Sequence, residues 1–221
     1  MFAGIGPFAV PAVRNVGCTV HANDLNPESY KYLEINKGLN KIPDNKMFTY
    51  NMDGGEFVKH LVNNNIHFTH VIMNLPASAY TFLPVFQGIF TEEYCNQKIE
   101  EIEPMEESNQ NIKSKKNKKN KKALIQNKKT SSWKKLENNM PWIHCYGFSA
   151  AEDPKKDYLR MVEESIGCPL PDAIVKEVRD VSPHKRMILA SFPLPYSIAV
   201  SDSSRKTSLE HPTPKKQKVE E

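Results

Sequence analysis

Three short apolar runs, Thr19 to Ala22, Met47 to Tyr50 and His70 to Met73, lie between stretches with helical signals, and each ends in a polar turn. Runs of about four residues with β-branched or aromatic content suit strands. Helix signals fill the intervals: Phe8 to Asn15 with Pro7 before it, Pro27 to Asn36 with Asn26 placed to cap, Glu56 to Asn63, and Tyr80 to Phe90. Alternation of this kind predicts an α/β fold whose parallel strands are joined by right-handed crossovers.

The pattern resumes at Met140. Pro141 to Ser149 reads as a strand, Lys155 to Ile166 as a helix, and Ile174 to Val181 and Arg186 to Phe192 as strands. Val175, Val178 and Val181 beside Met187, Leu189 and Ser191 predict a closing antiparallel pair. The chain therefore divides into a first part of the domain at 1–95, an insertion at 96–139, the rest of the same domain at 140–200 and a polar tail at 201–221.

Charge marks the insertion. It holds twelve Lys and six Glu, a net of +6, while the remainder of the chain is net −2. Such charge blocks cannot bury enough apolar surface to offset ordering, so the insertion is expected to be disordered, as is the tail. No apolar stretch approaches the roughly 18 to 20 residues of a membrane span. The four cysteines form no Cys-x-x-Cys pair and have no His at ligand spacing, which argues against a zinc site and a disulfide framework.

The polar turns carry the chemistry. Gly4-Ile-Gly6-Pro-Phe-Ala9 matches G-x-G-x-x-A, whose glycines allow a tight turn and close approach of backbone N–H groups to a ligand. Asp24, twenty residues on, closes the first run where a carboxylate can accept from both hydroxyls of a ribose; capping the next helix is the competing role. Asp53 follows the second run, placed to accept from an adenine amino group. A nicotinamide dinucleotide and S-adenosylmethionine both fit this geometry. Asn74-Leu75-Pro76, after the third run, favours the latter, because an asparagine amide and adjacent carbonyls can hold the edge of a nucleobase.

"FAGIGPFAVPA", "HANDLNPESYKYLEIN", "NMDGGEF", "HVIMNLPASA", "IHCYGFS" and "VRDVSPHKRMILASFPLP" together resemble the catalytic domain of the eukaryotic and archaeal tRNA (guanine-N1)-methyltransferases, which modify guanosine 37. The resemblance runs from about Phe2 to Pro195, apart from the insertion. It implies a class I, Rossmann-like methyltransferase fold with a seven-stranded, mostly parallel sheet and an antiparallel last strand. It further implies S-adenosylmethionine held by Phe2, Gly4, Gly6, Asp24, Leu25, Asp53, Gly54 and Asn74, catalytic positions at Asn74 and Pro76, and tRNA as the substrate of a monomer without a membrane anchor. Arg179 and Lys185 are candidates for tRNA phosphate, with solvated surface charge the equal alternative.

Because the resemblance starts inside its first motif, the aiming strand, the base, an arginine and the tRNA-docking domain of the family are expected to be missing here. An incomplete form that does not turn over unaided is the expectation, with an inactive S-adenosylmethionine- or RNA-binding fragment as the alternative. His21, His144 and His184 are given no catalytic role. Family members work in mitochondria, nucleus and cytoplasm, and Pro214 to Val219 reads as a short nuclear-import signal.

Overall fold

A computed structural model describes residues 1–91, 94, 140–183 and 185–200. The insertion, the tail with its import-like signal, Cys95 and His184 lie outside the described residues.

The described elements follow in the order α1 (Ala9–Val16), β1 (Val20–Asn23), α2 (Pro27–Leu39), β2 (Met47–Tyr50), α3 (Gly54–Asn63), β3 (His70–Met73), a 3-10 helix (Ala79–Phe86), β4 (Trp142–Ser149), α4 (Pro154–Ile166), β5 (Ile174–Ser182), β6 (Lys185–Pro193) and a short α5 (Tyr196–Ala199). Each boundary has a local cause. Helix α1 stops at Gly17, whose φ of 79° ends the turn in the left-handed region. Helix α2 starts at Asn26, whose side chain accepts from Glu28 N–H at 2.9 Å, with Pro27 in the first turn. Asp53 caps α3, accepting from Gly55 and Glu56 N–H, so α3 begins two residues before its predicted start. Tyr80 to Phe90, read as an α-helix, is instead a 3-10 segment ending at Phe86: Pro84 has no N–H to give and its ring obstructs the preceding turn.

Strands β1 and β2 pair in parallel as one two-stranded sheet, and the other four form a sheet in the order β3-β4-β6-β5. Strand β3 runs parallel to β4, whereas β6 is antiparallel to both β4 and β5. The antiparallel last strand and the β5–β6 pair are as expected. The single seven-stranded sheet is not: the described residues form six strands in two sheets. Only Met1–Ala3 run between β1 and β3, and they make one backbone bond to each side, Met1 N to Ile72 O at 3.0 Å and Ala3 N to Asn23 O at 2.8 Å.

Alternation along β4 shows how the layers form. Ile143, Cys145, Gly147 and Ser149 are buried, while the intervening residues are half-buried. The buried face packs with α3 and α4 through Phe57, Val58, Tyr158 and Val162. On the opposite face the Phe8 ring, just before α1, lies 5.7 Å from that of Tyr146. Helices α1 and α3 therefore cover opposite faces, the doubly wound arrangement. Helices α1 and α2 enclose a smaller core with β1 and β2, centred on Leu33 and Met47.

Candidate functional site

The carboxyl ends of β1, β2 and β3 are tied together at Met1–Gly6. Gly4 (φ 54°) and Gly6 (φ 99°) both adopt the left-handed conformation that favours glycine. A Cβ on Gly6 would approach Leu33 Cδ1 to 2.9 Å, whereas one on Gly4 would meet nothing within 4 Å, so Gly4 faces open space. Gly4 N–H donates to Asp24 Oδ2 at 2.7 Å across twenty residues. Asp24 Oδ1 accepts from Asn26 N–H at 3.0 Å, while the cap of α2 is Asn26 itself. Asp24 thus clasps the glycine turn to the end of β1, a part distinct from helix capping, and each of its oxygens keeps a lone pair for a further donor.

Two other residues read as cofactor contacts also have local structural duties. Asp53 is exposed and uses Oδ1 for the α3 cap. Gly54 is buried beneath Phe2: a Cβ there would come within 2.7 Å of the Phe2 ring, which itself packs edge-on to Phe82 at 4.9 Å. Leu25 is 65% exposed and Leu75 38% exposed, leaving apolar surface on either side of the turn available to a ligand.

Asn74 follows β3, and its Oδ1 is buried with no hydrogen-bond partner in the structure. An orphaned buried acceptor is costly, about 1–3 kcal/mol, and suits a site whose donor arrives with a ligand. Pro76 is half-buried in the turn that follows, where Leu75 O accepts from Ser78 N–H at 2.9 Å and Ala79 N–H at 2.7 Å. At the matching end of β4, Ser149 pairs with Arg186, so the start of β6 shares this rim. Lys185 Nζ lies 4.5 Å from the centre of the Phe148 ring; Arg186 is engaged by Glu177 and by Asp180 at 2.9 Å; Arg179 is exposed opposite Met187.

Three asparagines that organise the site were not among the residues singled out in the sequence. Asn23 is fully buried at the end of β1; it donates to Met52 O (2.9 Å) and Met1 O (3.3 Å) and accepts from Met52 N–H (3.0 Å). Asn51 donates to the carbonyls of Asp24 (2.8 Å) and Leu25 (3.0 Å), and Asn36 of α2 to Ile5 O (2.8 Å). For Asn23 the available signal was an amide ending an otherwise apolar strand, where burial demands full hydrogen bonding.

His144 shares hydrogen bonds with His70 (3.0 Å) and Ser191 Oγ (2.9 Å), and His21 with Tyr50 OH (3.0 Å). Burial lowers the pKa of both His144 and His21, with the neighbouring His70 and His60 adding to it respectively.

A family model described as the TRM5/TYW2 methyltransferase domain matches residues 1–127. The chain belongs to the TRM5/TYW2 methyltransferase family. It is 36% identical over 230 residues to a zebrafish (Danio rerio) protein named tRNA (guanine(37)-N(1))-methyltransferase, a match spanning 100% of this chain and 39% of that one. A relative of the same name from Phytophthora infestans is 37% identical over 221 residues, 99% of this chain and 42% of its own. The chain thus covers well under half the length of these TRM5/TYW2 relatives. Crystalline Trm5b from Pyrococcus abyssi superposes with a TM-score of 0.50 at 22% identity, over 87% of this chain and 42% of that one, in keeping with a Rossmann-like class I fold.

Proposed function

We propose that this chain carries the S-adenosylmethionine-binding half of a tRNA guanine-N1 methyltransferase acting on guanosine 37. The observation that carries the reading is the Gly4–Asp24 clasp at the carboxyl ends of β1 to β3, within a TRM5/TYW2 domain whose relatives bear that name.

The residues fit the donor. Gly4, open on its ligand side, would receive the methionine part beside Gly6 and Phe2; Asp24 would accept from the ribose hydroxyls; Leu25 would flank the adenine, with Asp53 beside Gly54 accepting from its amino group. Bound there, S-adenosylmethionine supplies an electrophilic methyl group. The chain's task is to bring a guanine edge to it, and the orphaned Asn74 oxygen, an acceptor, would take a hydrogen bond from the base's exocyclic amino group while Pro76 fixes the turn. Guanine N1 must also lose its proton as the methyl group is transferred. Arg179 and Lys185 would meet tRNA phosphates.

The test is calorimetric titration with S-adenosylmethionine together with transfer of a labelled methyl to tRNAs bearing guanosine or adenosine at position 37. Saturable binding lost in Asp24→Ala, and label incorporated only into the guanosine tRNA, supports the reading. Binding without transfer favours the inactive cofactor-binding fragment, and a preference for a nicotinamide dinucleotide overturns the assignment.

A further inference from the structure

Strands β1 and β2 end side by side, and each supplies an amide to the turn that follows the other. Asn23, the last residue of β1, grips the backbone of Met52, donating to its O at 2.9 Å and accepting from its N–H at 3.0 Å. Asn51, the first residue after β2, returns the contact: its Nδ2 donates to Asp24 O at 2.8 Å and to Leu25 O at 3.0 Å. An amide nitrogen carries two hydrogens, and here each meets one carbonyl.

Those carbonyls lie where the chain leaves the sheet. Asp24 N–H still belongs to the ladder, donating to Tyr50 O at 3.2 Å. The backbone bonds of α2 start with Tyr30 N–H on Asn26 O at 3.0 Å, so the Asp24 and Leu25 carbonyls precede the helix and take nothing from its ladder. Asn51 therefore completes the grip on residue 24. Tyr50 holds its N–H, Asn51 its carbonyl, Gly4 N–H its Oδ2 at 2.7 Å and Asn26 N–H its Oδ1 at 3.0 Å.

Burial separates the duties of the two amides. Asn23 is fully buried, so its hydrogen bonds belong to the stability of the sheet; Asn51 is exposed. Water can replace Asn51 on both carbonyls at little cost to folding, but it cannot fix the angle of the peptide that carries them.

We propose that Asn51 is a positioning residue for the ribose of the methyl donor, acting through Asp24. By fixing the Asp24 and Leu25 carbonyls, it sets the direction in which the remaining lone pairs of the Asp24 carboxylate point. A carboxylate that accepts from two neighbouring hydroxyls at once depends on its angle as much as on its presence. This inference rests on the S-adenosylmethionine reading and adds to it a residue that acts without touching the donor.

The test is calorimetric titration of the full chain with S-adenosylhomocysteine and with its 2′,3′-dideoxy analogue, which offers Asp24 no hydroxyl. Asn51→Ala should melt as the parent does, bind S-adenosylhomocysteine roughly tenfold more weakly, and bind the dideoxy analogue within about twofold of the parent. Asn51→Asp is read by pH. Ionised, its carboxylate faces two carbonyl oxygens with no hydrogen to give; protonated, it donates to one of them. Its affinity for S-adenosylhomocysteine relative to the parent should recover severalfold between pH 8 and pH 5, which decides the matter even if Asn51→Ala misfolds. Equal losses for both ligands, unchanged affinity in Asn51→Ala, or an Asn51→Asp ratio that is flat with pH would each overturn the role of Asn51 and leave the cofactor reading standing. A parent chain that does not bind S-adenosylhomocysteine would overturn that reading, and this inference with it.

Discussion

A single atom separates stability from function at Asn74. Its buried Oδ1 has no partner, so deleting the amide removes a desolvated acceptor and should leave the melting temperature unchanged or slightly higher. The same deletion removes a hydrogen bond proposed for the bound guanine. In Asn74→Ala we expect methyl transfer to a tRNA bearing guanosine 37 to fall roughly 10- to 100-fold, the equivalent of about 1–3 kcal/mol. A fall in stability with unchanged transfer would remove Asn74 from the site. Gly147 shows the reverse. A Cβ there would lie within the Tyr158 ring, which is fully buried between β4 and α4. Gly147→Ala should cost about 3 kcal/mol in urea unfolding, because neither the strand nor the helix can retreat. Nothing in "IHCYGFS" marks that glycine as a packing necessity: its neighbour is set by α4, which begins seven residues later. The nearness of Asp24 to the glycine turn was legible for the opposite reason, since the spacing between them is local to one β-α-β unit.

At the scale of elements, short apolar runs and caps located the strands to within a residue or two, since both are written in consecutive positions. Asn26 and Pro27 act within their own turn, and the sequence shows it. What stayed hidden depends on neighbours distant in the chain. The amides of Asn23, Asn36 and Asn51 serve carbonyls on other segments, and the division into two sheets follows from what lies between β1 and β3. Asp53 combines both kinds of information, because the carboxylate read as an adenine acceptor also caps α3. Two substitutions separate these duties. Asp53→Ala should lose about 1 kcal/mol of stability through the cap and weaken S-adenosylmethionine binding as well. Asp53→Asn keeps a capping oxygen but turns an amide NH₂ toward the adenine amino group, so stability should hold while affinity drops roughly tenfold. Calorimetry alongside thermal melts would show whether the two effects part; if Asp53→Asn binds as tightly as the parent, the carboxylate serves the helix alone.

Among the described residues, one buried and two half-buried bases favour their neutral forms, and they act in one direction. The Met1 α-ammonium is driven from 8.0 down to about 5 by burial, opposed in part by the charge of Asp24, and burial also lowers His21 and His144 from 6.5. An unfolded chain, with ordinary values, takes up these protons first as the solution is acidified. It therefore holds more protons than the native state through this window, and stability must rise with pH. The amine's contribution is complete above about pH 8 and lost by about pH 5; that of the imidazoles begins to fall away below 6.5. Asp157, held low by Ser149 and Arg160, keeps its contribution until the pH nears 3.8 and adds no slope here. Three units at Met1 correspond to roughly 4 kcal/mol, so the melting temperature should drop on the order of 10 °C between pH 8 and pH 5. Acetylating Met1 leaves a nitrogen able to donate to Ile72 but unable to take a proton, and should flatten most of that slope above pH 6.5. Melts of the free and acetylated chains at pH 8, 6.5 and 5 provide the check: parallel curves would mean that the amine is solvated, and that Met1 does not lie sealed between β1 and β3.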